Sequence, residues 1–180
     1  MKITIVTGSN REQSTSTKLC RYIETVLQEK EINVTLFDLY EKPLPFFDPS
    51  NRVTTDPNVH ALIQAVGGAD AVILSTPDYH GSVSGVLKNA LDFLGFDQFD
   101  SKAVLAVSSS GGAVGVSPLT HLQTIVRNLH GVNCPEWISI GGENRGFTPD
   151  GEPENEKVKE RVNKVLAYFV NLALTLRKAG

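Results

Sequence analysis

Cysteine is scarce in this sequence. There are two in 180 residues, Cys20 and Cys134, far apart and without metal-ligand spacing. That leaves two buried free thiols of the kind a reducing cytoplasm maintains. No pair among the histidines has metal spacing either, so a metal centre is not expected. No apolar run approaches the ~20 residues of a membrane span. The opening "MKITIVTGSN" turns polar too early for a signal peptide, and both points favour a cytoplasmic protein. Charge of one sign is missing too: a net charge of −3 with 21% charged residues provides no field for nucleic acid or an anionic membrane. Internal repeats and low-complexity tracts are absent. Also absent are the G-x-S-x-G elbow, which argues against a hydrolase despite the serines of "SSSGG", and the G-x-G-x-x-G and Gly-Lys-Ser/Thr loops. A dinucleotide pyrophosphate held on such a loop, or a nucleoside triphosphate, is therefore disfavoured.

What is present is a regular alternation. "KITIVT" (2–7), "NVTLFDL" (33–39), "DAVILST" (70–76), "KAVLAVS" (102–108) and "EWISI" (136–140) read as strands, several apolar enough to be covered on both faces. Helical periodicity fills the intervals. Leu19, Ile23, Val26 and Leu27 share one face, and "PNVHALIQAVGGA" stops at Gly67-Gly68. "GSVSGVLKNALDFLGF" carries Val83, Leu87, Ala90, Leu91 and Leu94 inward. "SPLTHLQTIVRNLHG" ends at Gly131, and a last helix begins around Pro153. The pattern predicts one domain over 1–180: a flavodoxin-like three-layer α/β sandwich with a five-stranded parallel sheet of order 2-1-3-4-5 and helices on both faces. Segments 40–56 and 141–152 are rich in Pro, Gly and Asp and read as irregular, the first long enough to suggest a functional surface.

In such a sheet the ligand sits beyond the carboxyl ends of the strands, which selects three loops. The first, "TGSNREQSTST", places the hydroxyls of Ser9, Ser14, Ser16 and Thr17 and the guanidinium of Arg11 just before a helix. One hydroxyl is enough for a helix cap; four with an arginine suit a monophosphate on the helix N-terminus. The second, Pro77-Asp78-Tyr79-His80-Gly81-Ser82, offers successive backbone N–H groups and an aromatic side chain to a flat heterocycle. The same residues would also make a plain proline-initiated turn with a solvent-facing tyrosine. In the third, Ser110-Gly111-Gly112-Ala113, small residues allow a ligand close to backbone. Elsewhere, His60, His121 and His130 read as solvated or capping, and Lys88 and Asp92 as an i, i+4 pair. Val86, Phe93 and Phe96 on the third helix suggest either a subunit contact or ordinary packing.

These loops resemble a known family. "GSNREQSTSTKL", "TPDYHGSVSGVLKNALDFL" and "SSSGGAVGVSPLTHLQTIV" are similar, in order and spacing, to the phosphate loop, second signature and third loop of the NADPH-dependent FMN reductases. The resemblance implies that Ser9, Arg11, Ser16 and Thr17 bind the phosphate of FMN. It implies that Pro77, Asp78, Tyr79 and His80 line the isoalloxazine and that Ser110 and Gly111 close its other side. It also implies reduction by NADPH or NADH and an acceptor such as a quinone, azo compound, free flavin or metal ion. A homodimer or homotetramer is implied as well. Asp78, His80 and Ser84 stand where the family usually has Glu, Asn and Pro, which bears on acceptor preference more than on flavin binding. The rival reading is a flavodoxin-type electron carrier without turnover, against which Arg11 and the mild net charge both count.

Overall fold

The computed structural model describes residues 1–50 and 54–179. The elements run β1 (Lys2–Thr7), α1 (Thr15–Gln28), β2 (Asn33–Asp38), α2 (Pro57–Gly67), β3 (Ala71–Pro77), α3 (Gly85–Asp92), α4 (Phe96–Phe99) and β4 (Ala103–Ser110). After these come α5 (Val116–Asn128), β5 (Val132–Asn133), β6 (Ile138–Gly141), a 3-10 turn (Gly142–Arg145) and α6 (Glu156–Ala179). The sheet is parallel, ordered β2-β1-β3-β4-β5, with β6 also on β4. This is the expected flavodoxin-like order with one correction. The fifth position is split, β5 pairing the start of β4 and β6 its end. Pro135 lies in the gap, where its missing N–H cannot serve a ladder; the apolar run "EWISI" marks only the second piece.

Strand side chains alternate between two cores. Ile3, Ile5, Ile73, Leu105 and Val107 meet α1 and α6 through Leu19, Ile23, Leu27, Leu166 and Phe169. Val6, Val72, Leu74, Val104 and Ala106 meet α2, α3 and α5 through Leu62, Val66, Leu87, Leu91, Leu119 and Leu122. Strands buried on both faces explain the nearly unbroken apolar runs. Both cysteines are buried and free.

The third helix is shorter than its periodicity predicts. It begins at Gly85 because Ser84, in extended conformation, caps it through Leu87 N–H, and it ends at Asp92 before a separate turn at Phe96–Phe99. Nor are its three apolar residues all exposed. Val86 packs on the second core, and Phe93 meets the Phe47 ring edge-on at 5.3 Å. Only Phe96 is exposed, stacked on His130 at 4.0 Å. Lys88 and Asp92 do form the expected surface pair, at 2.7 Å.

Lys102 ties two layers together by donating from Nζ to the carbonyls of Val66 and Gly67, both at 2.8 Å, at the end of α2. Carbonyls of the last turn lack the regular i+4 donor; that of Val66 also accepts a long bond from Ala69 N–H at 3.3 Å. Lys102→Met removes both bonds and lowers the unfolding free energy by about 1–3 kcal/mol, read as a shift of the urea midpoint; an unshifted midpoint refutes this role. No helix among the described residues is long and apolar enough to cross a membrane.

Candidate flavin site

At the carboxyl edge of the sheet, the chain leaves β1 through Gly8. Its N–H donates to the carbonyl of Ser75 at 2.7 Å, and a Cβ there would meet that oxygen at 2.6 Å and Leu87 Cβ at 2.7 Å. Only glycine allows this approach of the loop to β3 and α3. Ser84 joins the same knot: its N–H donates to Thr76 Oγ1, and its hydroxyl donates to the carbonyl of Gly8. Proline, the family's usual residue here, offers neither donor. The departure thus replaces a rigid φ with a hydrogen-bonded staple between the first loop and α3.

Ser9, Ser14, Ser16 and Thr17 are all buried. Ser14 is the N-cap of α1, accepting from Thr17 N–H at 3.1 Å; its hydroxyl also donates to Thr17 Oγ1 at 2.8 Å and lies 3.1 Å from Ser16 Oγ. Ser9 Oγ accepts from Arg11 N–H at 3.2 Å and so shapes the loop. One hydroxyl therefore does the capping, and the N–H groups of Thr15 and Ser16, in the first turn, have no intrahelical acceptor. A cleft of about 160 Å³ opens beside them. Arg11, Ser14, Ser16, Pro77, Asp78, Tyr79, Ser110 and Gly111, all candidates from the sequence, line it together with Thr15, Ser109 and Arg145.

Arg145 is the addition of consequence. It arrives from the 3-10 turn after β6, and its Nε–H donates to the carbonyl of Gly142 at 3.1 Å. Neither Arg11 nor Arg145 has an ion-pair partner among the described residues. The single carboxylate on the lining, Asp78, is turned away to accept from Gly81 N–H at 2.8 Å. Hydroxyl and N–H donors, a helix N-terminus and two unpaired guanidinium groups make a donor set that fits a phosphate dianion.

The second loop is a tight turn. Tyr79 and Ser82 exchange backbone bonds at 3.1 and 3.2 Å around His80 and Gly81, whose φ values are 55° and 75°. Positive φ at both central positions turns the tip outward. The cleft is accordingly lined by Pro77, Asp78 and Tyr79 but not by His80, Gly81 or Ser82. Ser82 Oγ instead lies 2.9 Å from His121 Nδ1, giving His121 a tie between this loop and α5 rather than a purely solvated position. Ser9 and Thr17 are likewise behind the lining rather than on it.

The third loop is held from beneath. Ser139 Oγ accepts from Gly115 N–H and lies 2.9 Å from Ser108 Oγ, which donates to the carbonyl of Gly115 at 2.8 Å. The polar Ser139 in an apolar strand was the signal available in the sequence. Among the described residues no group of three or more His, Cys, Asp or Glu is arranged to hold a metal ion.

A flavodoxin-like sheet with a donor-lined cleft after its first strand, walled by loops after its third and fourth, fits the class of proteins that bind a flavin mononucleotide. The model for NADPH-dependent FMN reductase matches residues 1–145. The FMN-dependent NADPH-azoreductase of Staphylococcus aureus is 39% identical over 155 residues, covering 84% of this chain and 82% of its own. The flavoenzyme NAD(P)H:(acceptor) oxidoreductase FerB of Paracoccus denitrificans superposes with a TM-score of 0.84 at 22% identity, over 97% of both chains. A flavodoxin of Streptococcus pneumonia TIGR4 superposes at 0.65 and 11% identity, over 95% of this chain and 99% of its own. The chain belongs to the NADPH-dependent FMN reductase family. It is an FMN-dependent NAD(P)H oxidoreductase.

Proposed function

We propose that the cleft holds FMN with its phosphate among Ser14, Ser16, Arg11 and the first turn of α1, with Ser9 and Thr17 supporting these groups from behind. Its ring then lies along Pro77–Tyr79 on one side and Ser110–Gly111 on the other. The observation that carries this is the buried hydroxyl cluster at the α1 N-terminus, facing two arginines without acidic partners. FMN, when bound, supplies the capacity to take two electrons from NAD(P)H and pass them on. The chain's part is placement: the staple through Ser84 fixes the first loop, Ser108 and Ser139 fix the third, and the 79–82 turn sets Tyr79 on the rim. The N–H groups of Asp78, Tyr79, Gly81, Ser82 and Gly112, which the sequence offers as donors to a heterocycle, are bonded within the protein instead, so these loops give the ring walls of fixed shape rather than those donors.

Beside the polar lining of the cleft, Tyr79 on its edge and Val114 and Val116 on the segment after the third loop are exposed apolar side chains. This supports a flat aromatic acceptor, a quinone, an azo compound or a free flavin, over a metal ion. Phe96 remains the exposed aromatic of α3–α4 that a homodimer or homotetramer would cover.

Two measurements test the reading. Purified protein mixed with FMN and NADPH should consume reduced nicotinamide steadily once a quinone or azo dye is added. Tight flavin binding with no turnover would instead identify an electron carrier. Arg11→Ala should weaken FMN binding by about 1.5–3 kcal/mol, the range for a hydrogen bond to a charged group, measured by quenching of flavin fluorescence. An unchanged affinity removes Arg11 from the phosphate contacts.

A further inference from the structure

A second cleft, of about 590 Å³ against about 160 Å³ for the flavin cleft, opens on the other side of the same two segments. Arg11 and Arg145 line the first; Gln13 and Phe147, two residues further on in each segment, line the second. The two clefts therefore share a wall made by the first loop and by the stretch after β6. A ligand long enough to lie in both would cross that wall beside the flavin phosphate.

Lys18 projects into the second cleft from α1, one turn beyond Ser14, whose carbonyl accepts its N–H at 2.9 Å. Its side chain is exposed and has no carboxylate partner among the described residues. Of the other charged groups on this lining, Arg21 reaches Asp38 at 3.7 Å and Glu41 at 3.0 Å, and Glu154, whose carboxylate lies beside Gly146, forms no ion pair with Lys18. Three cations of one rim, Arg11, Arg145 and Lys18, are thus without acids in a chain whose net charge is −3. The flavin phosphate accounts for the two on the first cleft. Lys18 lines the second cleft and not the first, where it offers a free ammonium to a second anion. Phe147, half-buried, adds an aromatic face beside it, suited to a purine ring.

We propose that this second cleft takes the adenosine 2′-phosphate end of NADPH, with Phe147 against the adenine and Lys18 on the 2′-phosphate, so that Lys18 distinguishes NADPH from NADH. The proposal rests on the reductase reading above, since it is the nicotinamide end that must reach the flavin. A 2′-phosphate is absent from NADH, and an ammonium that gains a charged hydrogen bond from one nucleotide and nothing from the other discriminates between them.

The test uses FMN-loaded protein and two probes, adenosine 2′,5′-bisphosphate and AMP, titrated by calorimetry. The native protein binds the bisphosphate about tenfold more tightly than AMP; Lys18→Met abolishes that preference and Lys18→Arg restores it. The ratio of kcat/KM for NADPH over NADH falls about tenfold in Lys18→Met, in step with the calorimetry. Equal affinity of the native protein for both probes, or a preference that survives Lys18→Met, overturns the assignment. Failure of the native protein to oxidise either nucleotide would count against the reductase reading instead, and the calorimetric comparison would still decide the role of Lys18.

Discussion

Gly141→Ala lowers FMN affinity at least tenfold and the unfolding free energy by about 3 kcal/mol. Gly141 ends β6 opposite Ser110, the last register pair on β4. A Cβ there would overlap the carbonyl oxygen of Gly112 and come within 2.7 Å of that of Ala113. Both obstacles are backbone, so no side chain can rotate aside. Either the 110–113 loop shifts, which reshapes a wall of the cleft, or the end of β6 leaves the sheet and takes Arg145 with it. Gly85→Ala is the contrasting variant, because a Cβ at that position meets nothing within 4 Å, and its helical site favours alanine by a few tenths to about 1 kcal/mol. Flavin titration and urea unfolding of the two variants decide the matter. Native affinity and native stability in Gly141→Ala would show that the third loop is not built on this contact.

Raising the pH above 9 destabilises the fold by a route that has nothing to do with the site's cations. The Cys20 thiol is wholly buried on the inner face of α1, and burial pushes its pKa from 9.0 up to about 12; the Ser75 hydroxyl and Arg21 pull the other way without cancelling this, and Asp38 and Glu24 add to it. The folded state therefore holds its proton where the unfolded chain releases it. Below pH 9 both states keep the proton and the full stability is present. Between pH 9 and about 12 the unfolded chain alone gives it up, and stability falls by on the order of 4 kcal/mol across the window. Cys134 and Tyr22 are shifted upward as well, mainly by burial, and act in the same direction. The Cys20 share is isolated by comparing urea midpoints of native protein and Cys20→Ala from pH 8 upward. The native curve should fall more steeply, and parallel curves would refute the assignment. The same shift leaves Cys20 without thiolate near neutral pH, so alkylating reagents should miss it until the chain unfolds.

Much of the site can be read from residues close together in the chain. Ser9, Arg11, Ser14, Ser16 and Thr17 fall within nine positions that lead into and open a helix, where local geometry alone directs hydroxyls and N–H groups to one point. Pro77 ends β3 and Asp78 and Tyr79 follow it directly, so knowing where the strand ends places them. His80, Gly81 and Ser82 belong to the same motif but leave the cleft, because the sign of φ at the turn's centre decides which way its tip points. Neither periodicity nor residue type shows that sign for a histidine.

Arg145 and Phe147 were hidden for a different reason. They stand some 130 positions from Arg11 and Gln13, in a stretch whose composition says only that it is irregular, and β6 brings them to the site by pairing with the end of β4. The exposure of the third helix was hidden likewise. Its own pattern cannot show that Phe47, held at its N–H by Asn89, lies against Phe93.

The alternation of strands and helices, the apolar character of the strands and the hydroxyl-rich first loop were set by the sequence itself, since each depends on neighbours a few residues apart. The tertiary structure decided the split of the fifth strand position, the pairing of Arg11 with Arg145 around one cleft, and the second cleft with Lys18. Each of those depends on which distant segments the sheet's register brings together, and register is settled by burying two faces at once rather than by any local preference.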